Sequence, residues 1–237
     1  MRTEHTEHNP RNARPIPGRP PAGRGPDSRE RLLDSALALF AAQGAAGTTL
    51  AQIAKAAGVT PAMAHYHFGN RDGLLDALAD ERLAPVMAHV WAVMPDEPGD
   101  PASGFDALQV VAAFVDRLLD AVDRTPLLPA LWSREILSGG GLLRERVMRH
   151  VPETKLAALC RALTEAQRAG RLHPDAQPGL VPVAIMGLVM LPLAARFMLD
   201  RLPEGAAGID RESLRRHALA ILLDGLAPRN PNPEPRP

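Results

Sequence analysis

Residues 48–75 read TTLAQIAKAAGVTPAMAHYHFGNRDGLL, and this stretch opens with the signals that start and stop a short helix. Thr49 is a favourable N-cap, and Gln52 three positions later completes a capping box. Gly58 ends the segment, since glycine readily takes the left-handed backbone conformation that follows a helix. The pattern predicts a helix between Thr49 and Gly58.

A second short helix follows after a tight turn. Thr60 is a new N-cap, and Pro61 occupies the first helical position, where its missing N–H costs nothing. This helix runs to about Phe68. Two short helices joined by a glycine-containing turn predict a helix-turn-helix from about Thr49 to Phe68, the motif that places its second helix in the major groove of DNA.

Helices this short are marginal alone, so they require neighbours to pack against. We predict a first helix with Asp27 as N-cap and Glu30 completing its capping box, ending at Gly44. A longer fourth helix follows Asn70. Their apolar faces comprise Leu32, Leu33, Ala36, Leu37 and Phe40 in the first helix, and Leu74, Leu75, Leu78, Leu83 and Met87 in the fourth.

The remainder of the chain also has helical periodicity, without the alternation typical of strands. Further helices are expected over residues 105–123, 126–137, 142–169 with a break near Pro152, 178–199 and 211–226. The fold class is therefore all-α, with about nine helices. A helix-turn-helix DNA-binding domain at residues 27–82 joins a larger helical domain at 83–227, between a basic tail at 1–26 and a proline-rich tail at 228–237, both expected to be disordered.

Composition narrows the class of protein. The net charge is zero, so a nucleic-acid surface has to arise from the distribution of charges. The tail at 1–26 holds five arginines and two glutamates, and it is either solvated or a basic arm along DNA. The single Cys160 fits a reducing compartment and a packing role. We expect a cytoplasmic protein without a membrane span, because residues 180–199 contain Pro182, Pro192 and Arg196.

The stretch at 48–75 resembles the N-terminal domain of the TetR family of transcriptional repressors. The matching residues are Thr48-Thr49, Ile53-Ala54, Ala57-Gly58-Val59-Thr60, Tyr66-His67-Phe68, a basic Arg71 and Leu74-Leu75. The resemblance covers about residues 27–83. It implies a DNA-binding transcriptional regulator whose variable helical domain binds a small-molecule effector and forms a homodimer. The chain departs from the family at Ala64-His65, where Leu-Tyr is usual.

The resemblance and the helix geometry together assign the DNA contacts. Thr60, Pro61, Ala62 and Met63 begin the third helix and would meet base edges in a major groove. Thr49 would hold a phosphate at a helix N-terminus. His65, Tyr66 and His67 would donate to the DNA backbone, and Arg71 supplies a positive charge. Two histidines two positions apart point to different sides of a helix, so no metal site is expected.

An effector pocket is expected among the middle helices, and large apolar side chains are the candidates for its walls. These are Met87, Trp91, Phe105, Phe114, Trp132, Met148, Met186, Met190 and Phe197, with Arg134, Glu135 and His150 as possible polar anchors. Each apolar candidate has simple core packing as its alternative. A methionine-rich lining suits an irregular, mostly apolar ligand. No cofactor is implied.

The last two helices, at about 178–199 and 211–226, offer more apolar surface than one subunit can cover. We expect them to form a four-helix homodimer interface through Leu180, Ala184, Leu188, Leu191 and Ala195 with Leu219, Leu222, Leu223 and Leu226. The alternative is that they are the core of a monomer. Three alternative functions remain open: an activator or ligand-insensitive repressor of the same fold, a helical enzyme, and a scaffold protein. No catalytic motif is present, so we expect no enzyme.

Overall fold

A computed structural model of the chain describes residues 26–94, 106–199, 201 and 210–228, without the side chains of residues 26, 27 and 197. Within these ranges all regular structure is helical and there is no strand, which confirms the all-α prediction. The two predicted tails lie outside the described residues, apart from Pro26 and Pro228. Phe105 and the side chain of Phe197 also lie outside them.

The first three helices build the helix-turn-helix and its support. They are α1 (Pro26–Gln43), α2 (Leu50–Ala56) and α3 (Pro61–Phe68). Helix α1 begins at Pro26, so Asp27 lies in its first turn and the prediction of an N-cap there is wrong; the fixed φ of proline suits the first helical position. The apolar face predicted for α1 is buried. Gly44 follows α1 at φ 83°, as its stop position requires.

The N-caps predicted for the next helices are confirmed. The Thr49 side chain accepts the N–H of Gln52, and the Gln52 side chain accepts the N–H of Thr49 at 2.8 Å, which completes the capping box. Thr60 caps α3 by accepting the N–H of Met63. Asn70 accepts the N–H of Gly73 at 2.9 Å. Hydrogen bonds within three residues therefore fix the starts of α2, of α3 and of the helix that follows Asn70.

The fourth helix is continuous but changes its winding along its length. It runs as α4 (Arg71–Leu78), a π-helical segment π1 (Ala79–Leu83) and α5 (Ala84–Trp91). The domain boundary that we predict between residues 82 and 83 falls inside π1. The helix-turn-helix is thus joined to the larger part of the chain by an uninterrupted helix rather than by a loop.

The larger part consists of further helices around a continuous apolar core. They are α6 (Ala107–Arg124), α7 (Leu128–Leu131), π2 (Trp132–Leu137), α8 (Arg144–Met148), α9 (Glu153–Arg168), a 3-10 turn (Pro178–Leu180), α10 (Val181–Ala194), α11 (Arg196–Leu199) and α12 (Arg211–Leu226). Pro152 separates α8 from α9, as predicted. With α10 and α11 taken as one, the described residues form ten helical stretches instead of about nine, because this break divides one helix in two.

Ion pairs connect the fourth helix to two of its neighbours, α1 and α8. Arg82 of π1 pairs with Glu30 and Asp34 of α1. On the other side, Arg146 of α8 pairs with Asp72 at 2.9 Å and with Asp76 at 2.7 Å. Charged side chains therefore link the fourth helix both to α1, which supports the helix-turn-helix, and to the larger part of the chain.

Two further sequence expectations concern the interior and the membrane. Cys160 is half-buried on α9, consistent with a packing role. Among the helices of the described ranges, none combines the length and the apolar character needed to cross a bilayer.

Candidate nucleic-acid interface

Helix α3 has a buried face and an exposed face. Ala64 and Phe68 are buried against the other helices of the N-terminal part. Thr60, Pro61 and Ala62 are exposed, and Met63 is half-buried. Because Thr60, Pro61 and Ala62 are exposed, the N-terminal end of α3 is open to a partner. This is the end that a recognition helix inserts into a major groove.

The side chains toward the end of α3 point in two directions. Tyr66 is 79% exposed, with its ring edge-on to His67 at a centroid distance of 5.3 Å. His65 is exposed, and its Nδ1 donates to the carbonyl of Gly69 at 2.9 Å. His67 is half-buried, with Nε2 hydrogen-bonded to the Ser28 hydroxyl at 2.9 Å. His65 and Tyr66 are therefore presented outward, whereas His67 is tied to α1.

Thr49 begins α2 and is exposed, but its polar groups already have partners within the capping box. Its hydroxyl donates to Oε1 of Gln52 at 3.1 Å and accepts the Gln52 N–H at 3.2 Å. A phosphate contact by Thr49 remains a prediction. It would share the hydroxyl with the helix cap.

Arg71 makes an internal contact that the sequence did not indicate. It is half-buried, and its guanidinium donates to the carbonyl of Ala45 in the loop between α1 and α2. The sequence also missed Lys55, which is exposed in the last turn of α2 beside the turn to α3. Its signal was available, since a lysine next to the turn of a helix-turn-helix can reach the DNA backbone. We add Lys55 to the candidate phosphate contacts.

A cavity of about 580 Å³ lies between α5 and the segment that joins α8 to α9. Its lining comprises Ala84, Ala88, Trp91, Ala92, Met94, His150, Pro152 and Lys155. Trp91 and His150 were both among the candidates for effector contacts. Phe114 packs edge-on behind Trp91, with ring centroids 4.9 Å apart. The cavity wall on the α5 side is thus continuous with the helix that leads to α3.

The other effector candidates do not line this cavity. Met190 is buried in the core, Met148 is exposed on α8, and Met87, Trp132 and Met186 are half-buried. Of the polar candidates, Arg134 is exposed, and Glu135 is buried with backbone partners on two loops. Large apolar residues recur in cores and in pockets alike, so their type alone could not separate the two.

The described residues contain no group of three or more potential metal ligands. Next to the cavity, Nε2 of His150 lies 2.9 Å from a carboxylate oxygen of Asp80 in π1. Lys155 donates to the carbonyl of Met94 at 3.1 Å. Two basic side chains therefore border a mostly apolar space.

The N-terminal helices are similar in sequence to a known family of proteins. Residues 32–78, which cover most of α1 and all of α2 to α4, match the sequence model of "Bacterial regulatory proteins, tetR family". The transcriptional regulator BetI of Rhizobium meliloti is 43% identical over 75 residues, which is 32% of this chain and 37% of BetI. A match to SrpR of Pseudomonas putida spans 30% of that regulator. The chain thus spans about a third of these curated relatives.

Two comparisons extend over most of the chain. The transcriptional repressor KstR2 of Rhodococcus jostii is 25% identical over 210 residues, covering 84% of this chain and 91% of the repressor. The solved structure of the ketosteroid transcriptional regulator KstR2 of Mycobacterium tuberculosis superposes with a TM-score of 0.63 at 19% identity, covering 88% of this chain and 99% of that one. The second similarity shows the shared fold.

Proposed function

Because this chain belongs to the TetR family of bacterial transcriptional regulators, we propose that it is a homodimeric repressor that binds operator DNA through α3 and is released by a small, mostly apolar effector. The observation that supports this most directly is the exposed N-terminal turn of α3 on a helix-turn-helix capped at both ends. Its relatives are regulators rather than enzymes. The site of action would be the cytoplasm, where the DNA is.

The proposed contacts to DNA are of two kinds, contacts to base edges and hydrogen bonds to phosphates. Pro61 and Ala62 are apolar and fit thymine methyl groups, and Thr60 can hydrogen-bond a base edge or a phosphate. Tyr66 is positioned to donate its hydroxyl to a phosphate on the border of the groove, whereas the Nδ1 donor of His65 is already engaged by the carbonyl of Gly69. Among the described residues few cations lie near this face, so the salt dependence of binding is expected to be modest unless the basic segment at 1–26 adds phosphate contacts.

The dimer surface is proposed on the outer face of α10. Leu180 at the end of the 3-10 turn and Val183 and Leu191 of α10 recur at helical spacing there, and they are 62%, 64% and 55% exposed. An apolar stripe of this kind is unfavourable in water unless a partner covers it. On α12, Leu222 and Leu226 are buried within the subunit, so the sequence expectation that they face the partner is wrong; Ile221 is an exposed large apolar residue of that helix.

Effector release would act through the fourth helix. The cavity is built on α5, which continues through π1 into α4 and so to the end of α3. A ligand that favours a shifted position of this helix would change the spacing of the two α3 helices. A hundredfold loss of DNA affinity needs a differential binding free energy of only about 2.7 kcal/mol. A protein of similar fold, the transcriptional regulator FadR of Bacillus subtilis, was solved in complex with stearoyl-CoA, whose long acyl chain supports an effector with a large apolar part.

The test is fluorescence anisotropy of the purified chain with duplex DNA from its own upstream region and with a scrambled duplex, across a salt series. We expect tight binding to the native duplex alone, followed by release when an apolar effector from a compound screen is added. Equal and weak binding to both duplexes would contradict operator recognition. Undiminished operator affinity in the presence of every compound that demonstrably binds would contradict effector release.

Repression itself needs a separate measurement. A reporter gene placed behind the upstream region should be more active when the regulator gene is deleted. Lower reporter output in the deletion strain would identify an activator instead.

A further inference from the structure

Glu135 is a buried carboxylate that joins two backbone segments. The residue has an exposed fraction of 3%. Oε1 accepts the N–H of Ala45 at 2.7 Å, and Oε2 accepts the N–H of Leu142 at 3.0 Å. Glutamate is almost never fully buried unless its polar atoms are paired. Each oxygen therefore has a backbone donor, and the two donors belong to segments 97 positions apart, from Ala45 to Leu142.

The first of these segments is the loop that precedes the helix-turn-helix. Ala45 is fully buried and is held from two sides, since its N–H meets Glu135 and its carbonyl meets the Arg71 guanidinium. Thr48 is also buried, and its hydroxyl donates to the carbonyl of Gly44 at 2.7 Å. The loop is thus held by buried residues and hydrogen bonds up to Thr48, which precedes the N-cap of α2. Displacement of Ala45 would therefore move α2 and α3.

The second segment is the turn that follows π2 in the larger part of the chain. A Cβ at Gly141 would lie 1.7 Å from the carbonyl oxygen of Glu135, so only glycine permits this return of the backbone. Glu135 itself lies in π2, which begins at Trp132. π-Helical turns are uncommon and are frequent at functional sites. A movement of π2 would therefore be transmitted through the carboxylate to Ala45.

We propose that Glu135 is a positioning residue for DNA binding: it fixes the loop at 44–48 to π2 and so sets the orientation of each helix-turn-helix in the dimer. It contacts no DNA itself. The inference rests on the proposed operator-binding function. In Glu135→Gln, one of the two backbone N–H groups faces an amide NH₂ instead of an acceptor, and the link to one segment is lost.

The experiment compares the two-half-site operator with a duplex that holds one half-site. Glu135→Gln and Gly141→Ala both loosen the link between the loop at 44–48 and π2. The second variant does so without changing the carboxylate. Glu145→Gln, an exposed glutamate on α8, is the control. We expect Glu135→Gln and Gly141→Ala each to weaken operator binding by about tenfold or more, because simultaneous engagement of two half-sites requires matched geometry. Binding to the single half-site should stay near that of the wild type.

A merely structural role would give a different result. Loss of folded protein lowers binding to both duplexes by the same factor, so an unchanged ratio of the two affinities would overturn the proposal. Hydrogen exchange of the Ala45 amide is measured on the same proteins without DNA, and it should be faster in Glu135→Gln than in Glu145→Gln. If the wild type binds no DNA, the proposed function has failed. Independently of that result, equal exchange rates of the Ala45 amide in Glu135→Gln and Glu145→Gln would contradict the link between Glu135 and the loop.

Discussion

At the scale of single residues, Tyr66 gives the sharpest test of a phosphate contact. Its side chain is exposed on α3, so its hydroxyl adds nothing to packing inside the subunit. We expect Tyr66→Phe to lower operator affinity by about tenfold, since a hydrogen bond to a charged group contributes about 1.5 kcal/mol or more. The melting temperature should not change. Anisotropy and thermal unfolding measure the two quantities.

The matched control for Tyr66→Phe is Thr154→Val, which removes an exposed hydroxyl from α9 far along the chain. Its operator affinity should equal that of the wild type. Equal affinities for Tyr66→Phe and Thr154→Val would exclude Tyr66 from the interface.

Residues whose partners are local were predictable, and those whose partners are distant were not. Thr49, Thr60 and Asn70 meet backbone N–H groups within three positions, so a short stretch of sequence contains the whole interaction. Glu135 was interpreted as a possible ligand anchor because no partner stands near it in the sequence. Its true partners are two backbone N–H groups, which have no signature in residue type.

At the scale of helices, the capping box of α2 supports both the fold and the DNA face. Thr49→Ala removes the side-chain acceptor of the Gln52 N–H, and loss of an N-cap costs about 1 kcal/mol of folding free energy. Urea unfolding should show this loss. Thr49→Ser keeps the hydroxyl and should retain the stability. A stability of Thr49→Ala equal to that of Thr49→Ser would contradict the role of the cap.

The junction between α4 and α8 should depend on pH. A hydrogen bond from Arg146, with a further one from Arg149, lowers the pKa of Asp76 below its ordinary value. A carboxylate with a lowered pKa stabilises the fold above its unfolded pKa, and the contribution is lost as the pH falls through the folded value. Because Asp76 is 47% exposed, solvent screening limits the effect to a few tenths of a kcal/mol, roughly.

Asp76→Asn should therefore be slightly less stable than the wild type at neutral pH, and the difference should shrink below about pH 4. Urea unfolding across this pH range measures it. Glu165→Gln, which removes an exposed carboxylate from α9, is the control and should show no such difference. A difference in the free energy of unfolding between Asp76→Asn and the wild type that stays constant down to acid pH would contradict the ion pair with α8.

The positions of the helices were largely predictable, but their winding was not. Periodicity and caps located α2, α3 and α12, since helix signals are local. The π-helical segments at Ala79–Leu83 and Trp132–Leu137 have no local signal. Both lie where the N-terminal helices pack against the rest of the chain, so tertiary contacts rather than propensity set their geometry.

At the scale of the whole molecule, the proposed dimer can be tested on the outer face of α10. Val183→Glu places a charge in the centre of the exposed apolar stripe, where pairing would bury it without a partner. We expect a monomer in sedimentation velocity at micromolar concentration, with an unchanged circular dichroism spectrum. Leu127→Glu, at an exposed leucine between α6 and α7, is the control and should remain a dimer.

Sedimentation of Val183→Glu as a dimer would place the subunit interface elsewhere. The monomeric variant should also lose tight operator binding, because the two helix-turn-helix units then bind their half-sites independently.

The exposed residues at the start of α3 are proposed to enter the groove of operator DNA, and one pair of alanine-to-glutamate variants tests this contact. Ala62 on α3 and Ala157 on α9 are both exposed alanines, so glutamate at either position leaves the core intact. Anisotropy with the native upstream duplex should show that Ala62→Glu abolishes specific binding, because its carboxylate would face the DNA, while Ala157→Glu binds like the wild type. Operator binding by Ala62→Glu at wild-type affinity would contradict the claim.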